Sequence, residues 1–365
     1  MQSLFSGIYK DKTVLVTGHT GFKGSWLCFW LKQMGAKVVG YSLEAPTNPN
    51  HFELLNLDIT SIKGNIKDLE HLNTVFQTYK PDIVFHLAAQ ALVKYSYENP
   101  IETYETNVMG TLKVFEACKN ANTKAIVNIT SDKAYENKEW IWGYKEIDPM
   151  GGYDPYSSSK GCADILATSY RNSYFNINEY KKTHNTLLAT CRAGNVIGGG
   201  DWAKDRLITD IMISVSIGKK VSIRNPKATR PWQHVLEPLS GYLQIGQKLL
   251  EEKVEFAEAW NFGPSDEGSI TVEEVVQNVK KHWDKIDYEI NQDPNQLHEA
   301  NLLKLDCTKA NTILKWKDVW DSETTFEKTV KWYKAYYENN KEILTQNDLE
   351  SYIADAKAKN IEWAI

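Results

Sequence analysis

Thr13-Val-Leu-Val-Thr17, followed at once by Gly18-His-Thr-Gly21-Phe-Lys-Gly24, decides the fold. The first five residues read as a short buried strand, apolar and largely β-branched. Glycines then recur at three-residue spacing, and Ser25 to Met34 reads as the helix that follows. Strand, glycine turn and helix in that order form the setting in which a backbone turn cradles a pyrophosphate. Gly18 permits the tight turn, Gly21 lets the backbone approach phosphate, and Gly24 lets helix and strand pack closely. His19, Thr20, Phe22 and Lys23 complete the turn as candidate dinucleotide contacts, with the phosphates resting on the helix N-terminus.

The alternation continues downstream. Lys37-Val-Val-Gly-Tyr41, Ile62-Lys63, Ile83-Val-Phe-His-Leu87, Ala125 to Thr130 and Thr186 to Cys191 read as further strands. Val108 to Asn120 and Tyr156 to Arg171 read as helices between them. Strands alternating with helices predict an α/β domain, a doubly wound parallel Rossmann sheet, over residues 1–194. After that Gly198-Gly-Gly200, Pro226, Pro231 and Pro238 break the pattern, which predicts a smaller C-terminal α/β lobe for substrate in 195–365. Within it, the segment near 232–262, with Trp260-Asn-Phe-Gly-Pro264, is expected to return to the first domain. The Lys- and Glu-rich end from Phe326 reads as a pair of surface helices.

A chain of 365 residues with 42% hydrophobic content can bury one large core and a smaller one. A formal charge of -5 offers no argument for nucleic acid or an anionic membrane as partner. No apolar run reaches the roughly 20 residues of a membrane helix. Met1-Gln-Ser-Leu-Phe-Ser-Gly lacks a secretory pattern, so a cytoplasmic protein is expected. Five scattered cysteines without Cys-x-x-Cys spacing read as buried reduced thiols. The eight histidines show no ligand spacing, and no metal is expected.

The chemistry lies in two clusters. Tyr156-Ser-Ser-Ser-Lys160 puts a phenol and an amine one helical turn apart, on one side of a helix. A phenol is a poor base at neutral pH, and the Lys160 ammonium together with a cationic nicotinamide nearby is expected to favour the phenolate. Ser131 ends a strand at the sheet edge where open α/β folds bind ligands, and it can hydrogen-bond the oxygen that Tyr156 deprotonates. Asp132 and Lys133 follow it directly, an acid and a base for which hydride transfer alone has no use. Around the cofactor, Ser42 occupies the tip of the second strand, where an acidic residue normally holds the ribose. Glu44 is the nearest carboxylate and no arginine lies there for a 2'-phosphate, so NAD is expected. Asn65 and Ile66 are placed to meet the adenine, and Leu87-Ala88-Ala89-Gln90 to line the cofactor. Asn107 reads equally as a site residue or a helix-flanking amide.

With these residues in place, the chain resembles the nucleotide-sugar 4,6-dehydratases of the extended short-chain dehydrogenase family from about residue 10 to 320. The Gly-x-x-Gly-x-x-Gly turn, Ser131-Asp-Lys133, Arg192-Ala-Gly-Asn-Val-Ile-Gly-Gly-Gly-Asp-Trp202 and Arg230-Pro-Trp-Gln-His-Val235 carry the likeness. The resemblance implies a hydro-lyase with bound NAD and a CDP-hexose substrate, since dTDP-hexose enzymes carry Glu at the position of Lys133. It implies Tyr156 as base at O4, Lys133 as base at C5 and Asp132 as acid at O6. Asn195, Arg206 and Arg230 become candidate diphosphate contacts, Arg224 a neighbour of the base, and Trp202 or Trp232 a stacking surface. Arg192 reads as structural, and His234, included among the substrate-side candidates, reads more readily as a buried histidine. A homodimer or higher oligomer, and deoxysugar biosynthesis for lipopolysaccharide O-antigen, are also implied. A 4-epimerase of the same fold, which needs no acid–base pair after the serine, and a non-catalytic NAD-binding regulator are the alternatives.

Overall fold

A computed structural model describes residues 1–223, 226–264, 269–291 and 302–365. Seven parallel strands form the central sheet: β1 (Thr13–Thr17), β2 (Lys37–Ser42), β3 (Thr60–Lys63), β4 (Ile83–His86), β5 (Ala125–Ile129), β6 (Leu187–Ala193) and β7 (Ala259–Phe262). Their spatial order is β7-β6-β5-β4-β1-β2-β3. The order reverses between β1 and β4, and the crevice at that switch point is where a doubly wound sheet binds its ligand. Buried strands with residues such as Val14, Val16, Val84, Ile126 and Leu188 are apolar on both faces because helices cover both.

The main helices are α1 (Phe22–Gln33), α2 (Leu69–Tyr79), α3 (Val93–Glu98), α4 (Thr111–Asn120), α5 (Pro155–Ser173), α6 (Leu207–Ser216), α7 (Leu236–Leu250), α8 (Val272–His282), α9 (Ser322–Glu338) and α10 (Thr345–Ala358). One apolar core packs α1, α7 and α10 on one face of the sheet, and another packs α2, α4 and α5 on the other. A further core joins α6, α8 and α9 around Trp202, Trp232, Trp283 and Trp332. β7 pairs with β6, Ala193 opposite Phe262, so the chain re-enters the central sheet there. Among the described residues no helix is long and apolar enough to cross a membrane.

Three local expectations change. Helix α1 starts at Phe22, not Ser25, because extended Gly21 is already its N-cap. The expected helix over 108–120 is α-helical only from Thr111, and Glu105–Gly110 forms a π-turn. The C-terminal helices are not mere surface: α9 buries Phe326, Val330 and Trp332, and α10 buries Leu349 and Tyr352. Polar and charged residues together outnumber apolar ones there, yet each helix keeps one apolar stripe for a core.

Candidate active site

The glycine turn has the geometry of a phosphate cradle. Gly18 takes φ +75°, and a Cβ there would stand 2.8 Å from the Ala88 nitrogen. A Cβ on Gly24 would stand 2.2 Å from the Gly18 carbonyl oxygen. Side chains at either position would close the space between β1, α1 and the loop after β4. No side chain caps the N-terminus of α1, so its first-turn dipole faces the turn. These residues fit a dinucleotide. Thr20 Oγ1 lies 2.9 Å from Ser42 Oγ and donates to the Leu43 carbonyl, tying the turn to the tip of β2. Glu44 is engaged by Lys63 at the surface. Tyr41 donates to the Asn65 carbonyl, Asn65 Oδ1 accepts from the Lys67 N–H, and Ile66 is buried beside Gly110. Phe22 is half-buried and faces Gly198.

Two turn residues depart from expectation. The His19 imidazole lies against β2, β3 and Phe52, with Nε2 2.7 Å from Ser61 Oγ. Burial brings it down to about 4, so it is neutral, and only its backbone remains for the cofactor turn. Lys23 reaches toward the chemical centre, with Nζ 3.5 Å from the Tyr242 hydroxyl. Burial first, then the Lys160 and Arg206 charges, bring its ammonium down to about 8.

The loop after β4 is fixed by a relay absent from the sequence reading. Ala88 N–H donates to Thr17 Oγ1 at 3.2 Å, and Thr17 lies 2.7 Å from His86 Nδ1. His86 Nε2 lies 2.9 Å from Thr111 Oγ1, which donates to the Asn107 carbonyl. These partners assign the proton to Nε2 of a neutral ring, in keeping with burial that brings His86 down to about 3. Asn107 extends the relay. Its Oδ1 accepts from the Gln90 N–H at 2.8 Å, and its Nδ2 donates to the Gln90 carbonyl and to Ser159 Oγ. Ser159 in turn donates to the Tyr156 carbonyl. The cofactor-side segment Leu87–Gln90 is therefore bonded to the helix of the catalytic tyrosine. A histidine closing an apolar strand was the available signal; its partners, 69 and 25 positions away in sequence, were not.

Helix α5 begins where Asp154 accepts from the Ser157 N–H at 2.9 Å and Pro155 takes the first helical position. Tyr156 and Lys160 are both buried there. Across from them Ser131 caps the turn Asp132–Ala134, accepting from the Lys133 N–H at 3.2 Å and donating to Asp132 Oδ1 at 3.0 Å. The turn packs against α5, the helix that carries Tyr156. Lys133 is half-buried, and Asp132 is buried facing Gly194, where a Cβ would stand 3.0 Å from Oδ2. Burial pushes Tyr156 up to about 12; the Ser131 hydroxyl and the Arg206 charge oppose it. Lys160 Nζ donates to the Ile129 carbonyl at 3.3 Å, and burial brings its ammonium down to about 8.

Beneath the turn, Arg192 and Asp164 form a buried bidentate pair at 2.9 and 2.7 Å. Arg192 also donates to the Tyr135 hydroxyl at 2.6 Å. Of the substrate-side candidates, Asn195 follows β6 at the sheet edge and is half-buried. Arg206 donates to Asp201 Oδ2 at 2.6 Å. Arg230 lies in a short strand whose backbone pairs with Ile270. Arg224 lies outside the described residues. Two candidates are corrected. Trp202 is buried among Trp332, Tyr333 and Tyr336 and donates to Tyr337, so it offers no open face for a base. His234 is fully buried between Trp26 and Trp320 and is a core residue.

The sequence model of the family GDP-mannose 4,6 dehydratase matches residues 15–331. A CDP-glucose 4,6-dehydratase of Salmonella typhimurium is 52% identical over 350 residues, covering 95% of this chain and 97% of that protein. Among solved structures, the epimerase Mth375 of Methanothermobacter thermautotrophicus superposes with a TM-score of 0.77 at 24% identity, covering 93% of this chain and 95% of that one. A dTDP-glucose 4,6-dehydratase of Bacillus anthracis, in complex with NAD, gives 0.72 at 24% identity over 90% and 98% of the two chains. At that identity the structures speak for the fold alone.

Proposed function

The chain belongs to the GDP-mannose 4,6 dehydratase family, and on that premise we propose that it converts CDP-D-glucose to CDP-4-keto-6-deoxy-D-glucose and water. The observation that carries this reading is the turn Ser131-Asp132-Lys133, an acid and a base tied to the serine hydroxyl and packed against the helix of Tyr156. Identity that runs nearly end to end with the Salmonella protein supports the choice of CDP-glucose. The glycine turn would hold NAD, which would supply the hydride acceptor for C4 and the hydride donor for C6. Tyr156 accepts the O4 proton while Ser131 holds that oxygen. The ketone acidifies C5, Lys133 removes its proton, and Asp132 protonates the departing O6. Neutral amine plus protonated carboxyl holds as many protons as the ion pair. One proton passed from Lys133 to Asp132 therefore gives the working form with no proton gained or lost by the pair. Asn195, Arg206 and Arg230 would hold the diphosphate, with the lobe built on α6, α8 and α9 on the substrate side.

Homodimerisation belongs to the same reading. Ile101 and Met109 are exposed on segments that pack against α5, and Ile165 is exposed on α5 itself. A cytoplasmic role in lipopolysaccharide O-antigen deoxysugar synthesis completes it. The test is a panel of CDP-, dTDP-, GDP- and UDP-hexoses. Loss of water from CDP-glucose far above the others is expected. A product of unchanged mass would favour the 4-epimerase reading, and no turnover at all the non-catalytic one.

A further inference from the structure

The run Gly198-Gly-Gly-Asp201-Trp202 delivers a carboxylate to a place where the fold holds it tightly. A Cβ on Gly199 would stand 1.9 Å from Trp332 Cγ, so only glycine lets the chain pass α9 there. Asp201 follows and is buried. Its backbone N–H donates to the Tyr333 hydroxyl at 2.9 Å, and that hydroxyl donates to the Asp201 carbonyl. Both carboxylate oxygens are in use. Oδ1 accepts from the Ala203 N–H at 3.0 Å, and Oδ2 accepts from Arg206 Nη1 at 2.6 Å.

That one bond leaves half of the guanidinium over. Among the described residues, Arg206 Nε and Nη2 make no hydrogen bond, and the side chain is 37% exposed. Arg206 also stands at the N-cap of α6, a position that favours small acceptors and sets its charge on the positive end of the helix dipole. No side chain caps that helix. A cation with one edge open, beside unpaired first-turn N–H groups, suits a phosphoryl anion. The neighbouring Asp205 bonds Lys94 of α3 at 3.1 Å, and Ser96 of α3 accepts the Tyr156 N–H at 3.1 Å. The loop that carries Arg206 is therefore tied to the short helix that also holds the first turn of α5.

We propose that Asp201 is a positioning residue for substrate: by holding Nη1 it turns the Nε–Nη2 edge of Arg206 to the diphosphate. The inference rests on the reading of Arg206 as a diphosphate contact. As a charge alone, Asp201 would oppose an anion. Its benefit is geometric, because a guanidinium fixed before substrate arrives loses less conformational freedom on binding.

The test is titration calorimetry of the NAD-loaded holoenzyme with the tightest-binding of CDP, dTDP, GDP and UDP, and with its bare nucleoside. Asp201→Asn keeps a carbonyl for the Ala203 N–H but turns amide N–H donors toward Arg206. It is expected to weaken the diphosphate about fivefold, the effect of one side chain left unfixed, and to leave the nucleoside unchanged. Tighter diphosphate binding would overturn the proposal, because the carboxylate would then act only as a repelling charge. Equal weakening of both ligands would also overturn it, showing a brace for the loop and nothing more. Arg206→Lys gives a second measurement that leaves Asp201 untouched. Lysine keeps the charge but has no planar fork to divide, so the diphosphate should weaken by a similar factor. Unchanged affinity there would overturn the division of the fork. Arg206→Gln separates the two readings. If it leaves diphosphate binding at the wild-type value, the contact itself fails. If it weakens the diphosphate while Asp201→Asn does not, only the positioning role fails.

Discussion

Replacing Lys133 with methionine is expected to slow water loss by about a thousandfold, within the range that a single general acid or base supplies. Methionine keeps the length and apolar stem of lysine but cannot take the C5 proton. Ser131 and Tyr156, which handle O4, lie on the cap of the turn and on α5 and are untouched by the change. With substrate deuterated at C5, the variant should retain the label while the parent washes it out into solvent. Washout at the parental rate would remove Lys133 from the mechanism and leave Asp132 as the only ionisable candidate in that turn.

The second large effect is on stability. Asp164→Ala is expected to cost about 3–5 kcal/mol, because it strands a buried guanidinium. Arg192 and Asp164 side chains are 4% and 0% exposed, and Thr130 Oγ1 adds a bond of 2.8 Å to Asp164 Oδ2. Losing the carboxylate also frees the arginine that holds Tyr135, directly after the catalytic turn. Asp164→Leu with Arg192→Met, which removes both charges, should restore most of the loss. A urea-unfolding double-mutant cycle checks this. A loss below about 1 kcal/mol for Asp164→Ala, or no recovery in the double variant, would show that the pair is not the clamp described.

The parts of this protein that could be read from sequence are those carried by contiguous residues. Gly18, Gly21 and Gly24 announce the turn because each glycine answers a local steric demand, and the close approaches at Gly18 and Gly24 are the demands themselves. Tyr156 and Lys160 announce a shared helical face for the same reason. What stayed hidden depends on distance in sequence. The His86 relay joins Thr17, Thr111 and Asn107 across three elements. Burial of Trp202 and His234 is a property of the packed third dimension. The desolvation of Tyr156, the largest influence on its phenol, likewise has no signature in a local motif.

The central claim, dehydration through internal return of hydride, is tested most directly with CDP-glucose deuterated at C4. The account predicts a product that has lost water and carries the deuterium at C6, transferred within one molecule even when unlabelled substrate is mixed in. Product of unchanged mass with the label still at C4, or label lost to solvent, would contradict it.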